Sequence, residues 1–345
     1  MKTDIKSLSF DELVALVNAL DLPKYRAGQL FSWLHKFGVT DFSQMANIPK
    51  SIRSVLAERY YISGCSIEEK YVSRIDSTVK YLFRLHDGEY IESVIMKYKY
   101  GYTICVSSQV GCKMGCRFCA STLAGFKRNL TAGEIEGQIH AAQADLNIRI
   151  SHIVLMGIGE PLDNLDNVIR FIENVNNDNG LNISARNITL STCGIVPKIK
   201  TLMQLNLQIT LTISLHAPND EIRSRTMPVN EKYGVHELIA VCREYALRTS
   251  RRVSFEYTLI KDVNDSRECA EELSELIKGI LCHVNLIPVN NVDERNNIRS
   301  TDESVNNFLQ ILQKNGINAT IRRTLGSDIN ASCGQLRRKR SEVAQ

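Results

Sequence analysis

The sequence lacks an apolar run that approaches the length of a membrane-spanning helix. Residues 1–4 also lack the charged and apolar pattern that opens a secretory signal peptide. We therefore expect a cytoplasmic protein with no membrane partner. In a reducing cytoplasm, the ten cysteines are better explained as ligands and catalysts than as a disulfide framework.

Acidic residues are absent between Glu92 and Glu134, although six basic residues lie in that interval. A second basic run occupies residues 337–340. The net charge is only +4, so its uneven distribution is more informative than its total. One-sidedly basic segments suit a polyanion such as RNA, and a solvated surface or tail is the plain alternative.

A CxxxCxxC spacing within this basic segment contains Cys112, Cys116 and Cys119. Such short spacings allow one loop to wrap thiolates around a single metal centre. A structural zinc site or an electron-transfer cluster normally uses a fourth protein ligand. Three thiolates instead leave one iron of a cluster open to a small molecule. The alternatives are buried unligated cysteines and a zinc ion with a distant fourth ligand.

The N-terminal part of the chain has the pattern of a small helical domain, over residues 1–75. Ser9 is a suitable N-cap for the first of three predicted helices. The apolar period then changes to two, which predicts a β-hairpin within residues 76–100 with its turn at Asp87-Gly88.

A strand–helix alternation follows over the rest of the chain. Strands are predicted at residues 102–107, 153–156, 187–191, 209–214, 253–260, 284–288 and 318–322. The alternation favours parallel strands joined by right-handed crossovers, and both a doubly wound sheet and an open barrel fit it. Both folds bind ligands at the carboxyl ends of their strands.

Polar groups follow several of these strands. After one buried strand come Gly159, which permits close approach of a ligand, and Glu160, whose carboxylate can accept a hydrogen bond from an ammonium group. Further hydrogen-bonding groups end later strands at Ser191, Ser214, His216 and Asn290. The alternative for each is an ordinary polar residue at a strand end.

Two more cysteines occupy distinctive positions. Cys105 ends the strand that precedes the three-cysteine loop, and Cys333 lies in a polar, loop-like tail. A cysteine that only packs is unusual in such a tail. An exposed thiol near basic residues is a candidate nucleophile.

Four segments resemble motifs of the RlmN family of radical S-adenosylmethionine (SAM) RNA methyltransferases, and they occur in the same order along the chain. These are residues 105–112, 159–162, 214–220 and 331–336. The sister family Cfr is also similar, but Val110 and Pro161 match RlmN better. The resemblance implies an α/β fold, a radical SAM partial (β/α)6 TIM-like barrel with a small N-terminal helical domain.

The resemblance also implies a division of the chain into four parts. We expect an N-terminal RNA-binding domain (1–75), a hairpin linker that extends the barrel (76–100), a radical SAM core (101–325) and a tail with a methyl-accepting cysteine (326–345).

The implied cofactors are one [4Fe–4S] cluster, held by Cys112, Cys116 and Cys119, and SAM. The positions that match the family's SAM contacts are Gly159, Glu160, Ser191, Ser214, Leu215, His216 and Asn290. The implied partners are 23S ribosomal RNA, tRNA and a one-electron reductant such as flavodoxin or ferredoxin, and we expect a monomer.

RlmN enzymes methylate C2 of an adenosine, whereas Cfr enzymes methylate C8. In the implied route Cys333 accepts a methyl group from one SAM, and a radical derived from a second SAM activates that methyl group for addition to adenine. Cys105 then resolves the protein–RNA adduct and leaves a Cys105–Cys333 disulfide, and Glu92 matches a proposed proton acceptor. The alternatives are a Cfr-type C8 methyltransferase and a non-catalytic metal-cluster RNA-binding protein.

Overall fold

The computed structural model describes residues 2–290, 292 and 294–337. The strands of the described residues are β1 (Thr3–Asp4), β2 (Tyr60–Tyr61), β3 (Ser66–Val72), β4 (Val79–Arg84), β5 (Tyr90–Tyr98), β6 (Gly101–Cys105), β7 (Gln109–Gly111), β8 (Phe126–Asn129), β9 (Ile150–Leu155), β10 (Ile188–Thr192), β11 (Thr210–Ser214), β12 (Val253–Leu259), β13 (Cys282–Pro288) and β14 (Ala319–Ile321). The α-helices of the same residues are α1 (Phe10–Ala19), α2 (Tyr25–Phe31), α3 (Lys50–Arg59), α4 (Ala132–Leu146), α5 (Leu165–Asn176), α6 (Val196–Gln204), α7 (Asp220–Thr226), α8 (Val235–Thr249), α9 (Arg267–Leu276) and α10 (Asp302–Lys314).

A single large sheet organises the molecule, with the strand order β14-β13-β12-β11-β10-β9-β6-β5-β4-β3. The strands from β14 to β6 are parallel to one another, and β5, β4 and β3 continue the sheet in antiparallel pairs. A helix follows each parallel strand from β6 to β13, which gives six strand–helix units. In the part of the chain that the structure describes, β14 and β3 are the two edges, so the barrel is open. The predicted partial (β/α)6 barrel is confirmed.

The parallel strands form because helices on one side and the barrel interior on the other leave them little contact with water. All seven residues of β12 are buried, as is expected of a strand at the centre of a parallel sheet. The covering helices are amphipathic. In α5 the apolar side chains Leu165, Val168 and Ile172 recur at helical spacing and are buried.

The N-terminal helices have their own apolar core. The N-cap predicted at Ser9 is present. It is part of a capping box, since the backbone N–H of Glu12 donates to Ser9 Oγ at 3.1 Å and Glu12 Oε2 accepts from Ser9 N at 2.8 Å. A cluster that includes Ile5, Leu13 and Phe31 is separate from the core of the barrel. The division into four domains stays a prediction.

Buried polar groups attach this helical unit to α4 of the barrel. The Asp4 carboxylate accepts hydrogen bonds from the backbone N–H of Ser63 at 3.0 Å and from the Thr131 hydroxyl at 3.1 Å. Glu136 lies between two histidines, 2.8 Å from His35 Nδ1 and 2.9 Å from His140 Nε2.

Two features were not predicted. Ser66–Val72, which falls in the segment predicted to be helical, is the edge strand β3, and its charged side chains hide a strand pattern. The short strands β7 and β8 pair into a hairpin around the three-cysteine loop. Within the described residues, no helix is both long and apolar enough to cross a bilayer.

Candidate active site

The three-cysteine loop is closed at its base by the β7–β8 pair. Gly111, the last residue of β7, has φ +76°, and a Cβ there would overlap the carbonyl oxygen of Gly125. The other side of the loop is fixed by two backbone hydrogen bonds, from Arg117 N to Thr226 O at 2.9 Å and from Ala120 N to Gly334 O at 2.7 Å. The loop is thus held by β8, by the end of α7 and by the C-terminal segment.

Cys112, Cys116 and Cys119 line one cavity, and all three thiols are free of disulfides. Burial raises the pKa of Cys112 to about 12 and the pKa of Cys116 further, with mutual repulsion between the thiolates adding to the effect. A bound cation would offset both effects and hold Cys112 and Cys116 as thiolates.

The donor set fits an iron–sulfur cluster better than one metal ion. Among the described residues, no three side chains of His, Cys, Asp or Glu are arranged to hold a single ion. A polynuclear cluster differs because each thiolate binds its own iron atom. Cys193 and Cys333 also line the cavity, but only Cys112, Cys116 and Cys119 share the loop, and three thiolates from this loop would leave one iron of a cluster for another ligand.

Glu160 lies in the wall of the same cavity and is buried. Its Oε2 accepts from the backbone N–H of Cys193 at 2.8 Å, and its Oε1 accepts from Leu162 N at 3.1 Å. Burial raises the pKa of this carboxyl group. Gly159 has φ +107°, and a Cβ there would meet the Gln109 side chain at 2.6 Å. A buried carboxylate placed in this way suits an ammonium group of a ligand.

The remaining predicted SAM contacts surround this cavity, with one exception. Ser191, Ser214, His216 and Asn290 line it. Leu215 is fully buried and outside the lining, and its backbone N–H donates to Glu256 O at 3.1 Å.

His216 is held as a neutral hydrogen-bond donor. Its Nδ1 accepts from the backbone N–H of Thr258 at 2.9 Å, so the ring proton is on Nε2. Burial and the nearby Arg223 lower the pKa of His216 to about 3. The imidazole is thus suited to donate a hydrogen bond and unsuited to carry protons near pH 7.

Cys105 and Cys333 line a second, smaller cavity, and Cys333 also lines the first. The loop of Cys333 is anchored by Asn290 Nδ2, which donates to Cys333 O at 3.0 Å, and by Ser121 Oγ, which donates to Leu336 O at 2.9 Å. The structure therefore brings the two distant cysteines to one place beside the three-cysteine cavity.

Both of these thiols are neutral in the free protein. Burial, and then the proximity of Cys333, raise the pKa of Cys105 to about 12. Burial of the thiol also raises the pKa of Cys333, with Arg322 acting in the opposite direction, although the residue as a whole is exposed.

Glu92 is buried next to the C-terminal segment, outside the lining of both cavities. Its Oε1 lies 3.2 Å from Lys80 Nζ, and its Oε2 accepts from Arg337 N at 2.6 Å. Burial raises the pKa of Glu92, and Lys80 opposes this shift. In this conformation Glu92 holds the chain after Cys333, and its proton-acceptor role stays a prediction. Residues 338–340 of the predicted basic run lie outside the described residues.

Three charged residues of the site were not predicted from the sequence. Glu256 and Arg322 line the first cavity as an ion pair with 3.3 Å between Oε2 and Nη1. Arg223 is fully buried and donates to four backbone carbonyls, those of Leu215, Cys193, Ser214 and Tyr233. A charge inside an otherwise uncharged strand was the available signal for Glu256.

Known proteins resemble this chain over its whole length. The radical SAM superfamily model matches residues 106–277, and a model for the N-terminal domain of ribosomal RNA large subunit methyltransferases matches residues 3–62. A probable dual-specificity RNA methyltransferase RlmN of Clostridium tetani is 56% identical over 336 residues, which cover 97% of this chain and 96% of the relative. Its counterpart from Alkaliphilus oremlandii is 55% identical over 338 residues, 98% of each chain. A radical SAM methyltransferase structure from Sphaerobacter thermophilus has a TM-score of 0.92 and 43% identity, and the match covers 98% of this chain and 100% of that one.

Proposed function

The chain belongs to the RlmN family of radical SAM methyltransferases, and we propose that it methylates C2 of adenosine in 23S ribosomal RNA and in tRNA. As a radical SAM protein it uses a [4Fe–4S] cluster and SAM. The observation that carries the proposal is the meeting of Cys105 and Cys333 in one cavity beside Cys112, Cys116 and Cys119. A chain that only bound RNA through a metal cluster would not need this second pair of thiols.

The first cavity supplies the groups that the cofactors need. Cys112, Cys116 and Cys119 would hold the cluster through their thiolates. Glu160 would accept hydrogen bonds from the SAM ammonium group, while His216 and Ser214 would donate to polar SAM atoms. When bound, the cluster and SAM supply the radical that removes a hydrogen atom from a methyl group on Cys333.

Cys333 is the proposed methyl carrier. Its thiolate accepts a methyl group from SAM. Because Cys333 lines both cavities, the S-methyl group can face the cofactors in the first cavity and then the RNA in the second. The activated methyl carbon bonds to adenine C2, which leaves Cys333 covalently attached to the RNA.

Cys105 is the proposed resolving residue. As a thiolate it takes the proton from adenine C2, while the unpaired electron that the radical addition leaves on the adduct would pass to an acceptor such as the oxidised cluster. After losing that proton to solvent, Cys105 attacks the Cys333 sulfur. The electron pair of the bond between that sulfur and the methyl carbon moves to the carbon, which takes up a proton, so methylated RNA leaves and a Cys105–Cys333 disulfide remains. An external reductant restores both thiols, and we propose a flavodoxin or ferredoxin as the one-electron donor for the radical step.

The proposed substrates indicate where the protein works. Because ribosomal RNA and tRNA are cytoplasmic, we propose that the protein is cytoplasmic. We also propose that it works as a monomer. The helical unit attached through Asp4 and Glu136 is proposed to contact RNA. Glu92 is proposed as a proton acceptor once the Arg337 segment has moved.

Mass spectrometry of digested RNA tests the reaction. We expect the anaerobically reconstituted protein, with reductant and SAM, to form 2-methyladenosine in unmodified ribosomal RNA and in tRNA. Formation of 8-methyladenosine would replace the C2 proposal by Cfr-type methylation. Absence of both products, together with absence of 5′-deoxyadenosine, would favour a non-catalytic RNA-binding protein.

A further inference from the structure

Two tyrosines form a stacked pair where β5 turns into β6. The rings of Tyr98 and Tyr100 lie 5.0 Å apart at an angle of only 6°. His152 of β9 supports Tyr100 through an edge contact at 4.7 Å. The Tyr100 side chain is nevertheless 62% exposed, which is unusual for an aromatic residue held by two ring contacts.

The turn that carries this pair is conformationally fixed. Gly101 has φ +129°, and a Cβ there would overlap Ser151 Oγ. The close packing on β9 means that Tyr100 is presented in one orientation before any ligand binds. A preordered ring loses little conformational entropy when it binds.

The stacked pair is continuous with the cavity of the two reactive cysteines. Tyr98 lines the smaller cavity together with Cys105, Cys333 and Arg323. Tyr100 does not line the cavity itself, but its ring stacks on Tyr98 and so extends outward the aromatic surface that begins in the cavity wall.

The surroundings of the pair are basic. Lys99 and Arg323 are exposed, and Lys99 lies in the segment from 93 to 133 that has no acidic residue. Within the described ranges, neither Lys99 nor Arg323 forms an ion pair with a carboxylate. Such charges next to an exposed aromatic face are typical of sites for single-stranded nucleic acid.

We propose that Tyr98, Tyr100, Lys99 and Arg323 form a docking site for single-stranded RNA, in which Tyr100 stacks on a base next to the target adenosine. The inference deepens the proposed function and depends on it, because it takes RNA as the substrate. Lys99 and Arg323 would contact the phosphates on either side. The site would recognise an unpaired loop rather than a continuous duplex, since only an unstacked base can cover the Tyr100 ring.

The test measures the affinity of the full-length holoenzyme for a short RNA hairpin. Its loop contains an unpaired adenosine with the fluorescent base 2-aminopurine beside it. We expect Tyr100→Ala to weaken binding by about tenfold, since stacking of one base contributes on the order of 1–3 kcal/mol. The quenching of 2-aminopurine seen with the wild-type protein should also be lost.

Two variants serve as controls. Tyr100→Phe retains the ring and should bind and quench as the wild type does. Leu247→Ala truncates a side chain on α8 that is 76% exposed, and it should leave the affinity unchanged. Equal binding of the wild type and Tyr100→Ala, or loss of binding by Tyr100→Phe as well, would overturn the stacking role. Competition by a loop-free duplex as strong as that by the hairpin would overturn the preference for single strands.

A separate readout distinguishes this inference from the proposed function. Methylation of Cys333 by SAM is measured without RNA, from the mass of its peptide, and it should be equal in the wild type and in Tyr100→Ala. An unmethylated Cys333 in the wild type would contradict the proposed route. Tyr100-dependent RNA binding can be measured in either case.

Discussion

The exchange of Gly111 for alanine tests whether the β7–β8 pair keeps the three-cysteine loop closed. Gly111 directly precedes Cys112, has φ +76° and faces the carbonyl oxygen of Gly125 at a distance that leaves no room for a Cβ. The matched control is Gly125→Ala. Gly125 also has a positive φ, of +65°, but no atom lies within 4 Å of the position its Cβ would take.

The expected costs of the two changes differ because only one includes a steric clash. A left-handed backbone costs a non-glycine residue about 1–2 kcal/mol, and both variants incur this cost. In Gly111→Ala the β8 strand must also move away, which loses hydrogen bonds of the β7–β8 pair at about 1 kcal/mol each. We expect a destabilisation of about 3–5 kcal/mol for Gly111→Ala and about 1–2 kcal/mol for Gly125→Ala.

The assay combines urea unfolding of the cluster-free protein with the content of iron and labile sulfide after reconstitution. Gly111→Ala should lose most of its iron while the far-ultraviolet circular dichroism of the barrel is retained. Gly125→Ala should retain nearly all of its iron. Equal iron contents and equal unfolding midpoints for the two variants would show that contact between Gly111 and the Gly125 carbonyl does not keep the loop closed.

Three further predictions follow from the buried ionisable groups. Because the pKa of Cys105 is raised to about 12, its alkylation at pH 8 should be on the order of 1000-fold slower than that of a free thiol. Mass spectrometry of the peptide that contains Cys105 measures this rate. A rate like that of a free cysteine would contradict the burial of the Cys105 thiol. Glu160→Gln should weaken SAM binding by about tenfold or more, because the SAM ammonium group loses a charged partner. Calorimetry on the reconstituted protein measures this affinity, and the iron content should be unchanged. Loss of iron in parallel would indicate a structural role for Glu160 instead. Burial lowers the pKa of His140 to about 4 in the folded protein. Between pH 6.5 and pH 4 the unfolded chain therefore binds a proton at this histidine that the folded chain does not. The free energy of unfolding should fall by up to about 3 kcal/mol over that pH range. Urea titrations at pH 7 and pH 4.5 should show a smaller fall for His140→Gln, and an unchanged pH dependence would contradict the assignment.

Local patterns explain why most of the fold could be predicted. The N-cap predicted at Ser9 depends on residues within three positions of one another, and it is present. The parallel strands are buried on both sides, so their apolar runs are visible without knowledge of their partners. Short strands without this pattern, such as β7, were missed because pairing across a loop decides them.

In the candidate active site too, contacts between residues that are distant in the sequence could not be predicted. Motif spacing led to Cys112, Cys116 and Cys119, the end of a buried strand led to Glu160, and the polar tail led to Cys333; the structure places all five around one cavity. Their roles in catalysis stay predictions. The Glu256–Arg322 pair joins residues 66 positions apart, and no local pattern identifies it. Glu92 lies against Arg337 in this conformation, a contact between residues that are 245 positions apart.

The most direct test of the central claim is mass spectrometry on Cys105→Ala purified from growing cells. We expect RNA covalently attached to the peptide that contains Cys333, because the adduct forms but cannot be resolved without Cys105. Unmodified Cys333 in a variant that contains iron and labile sulfide would contradict the methylcysteine route.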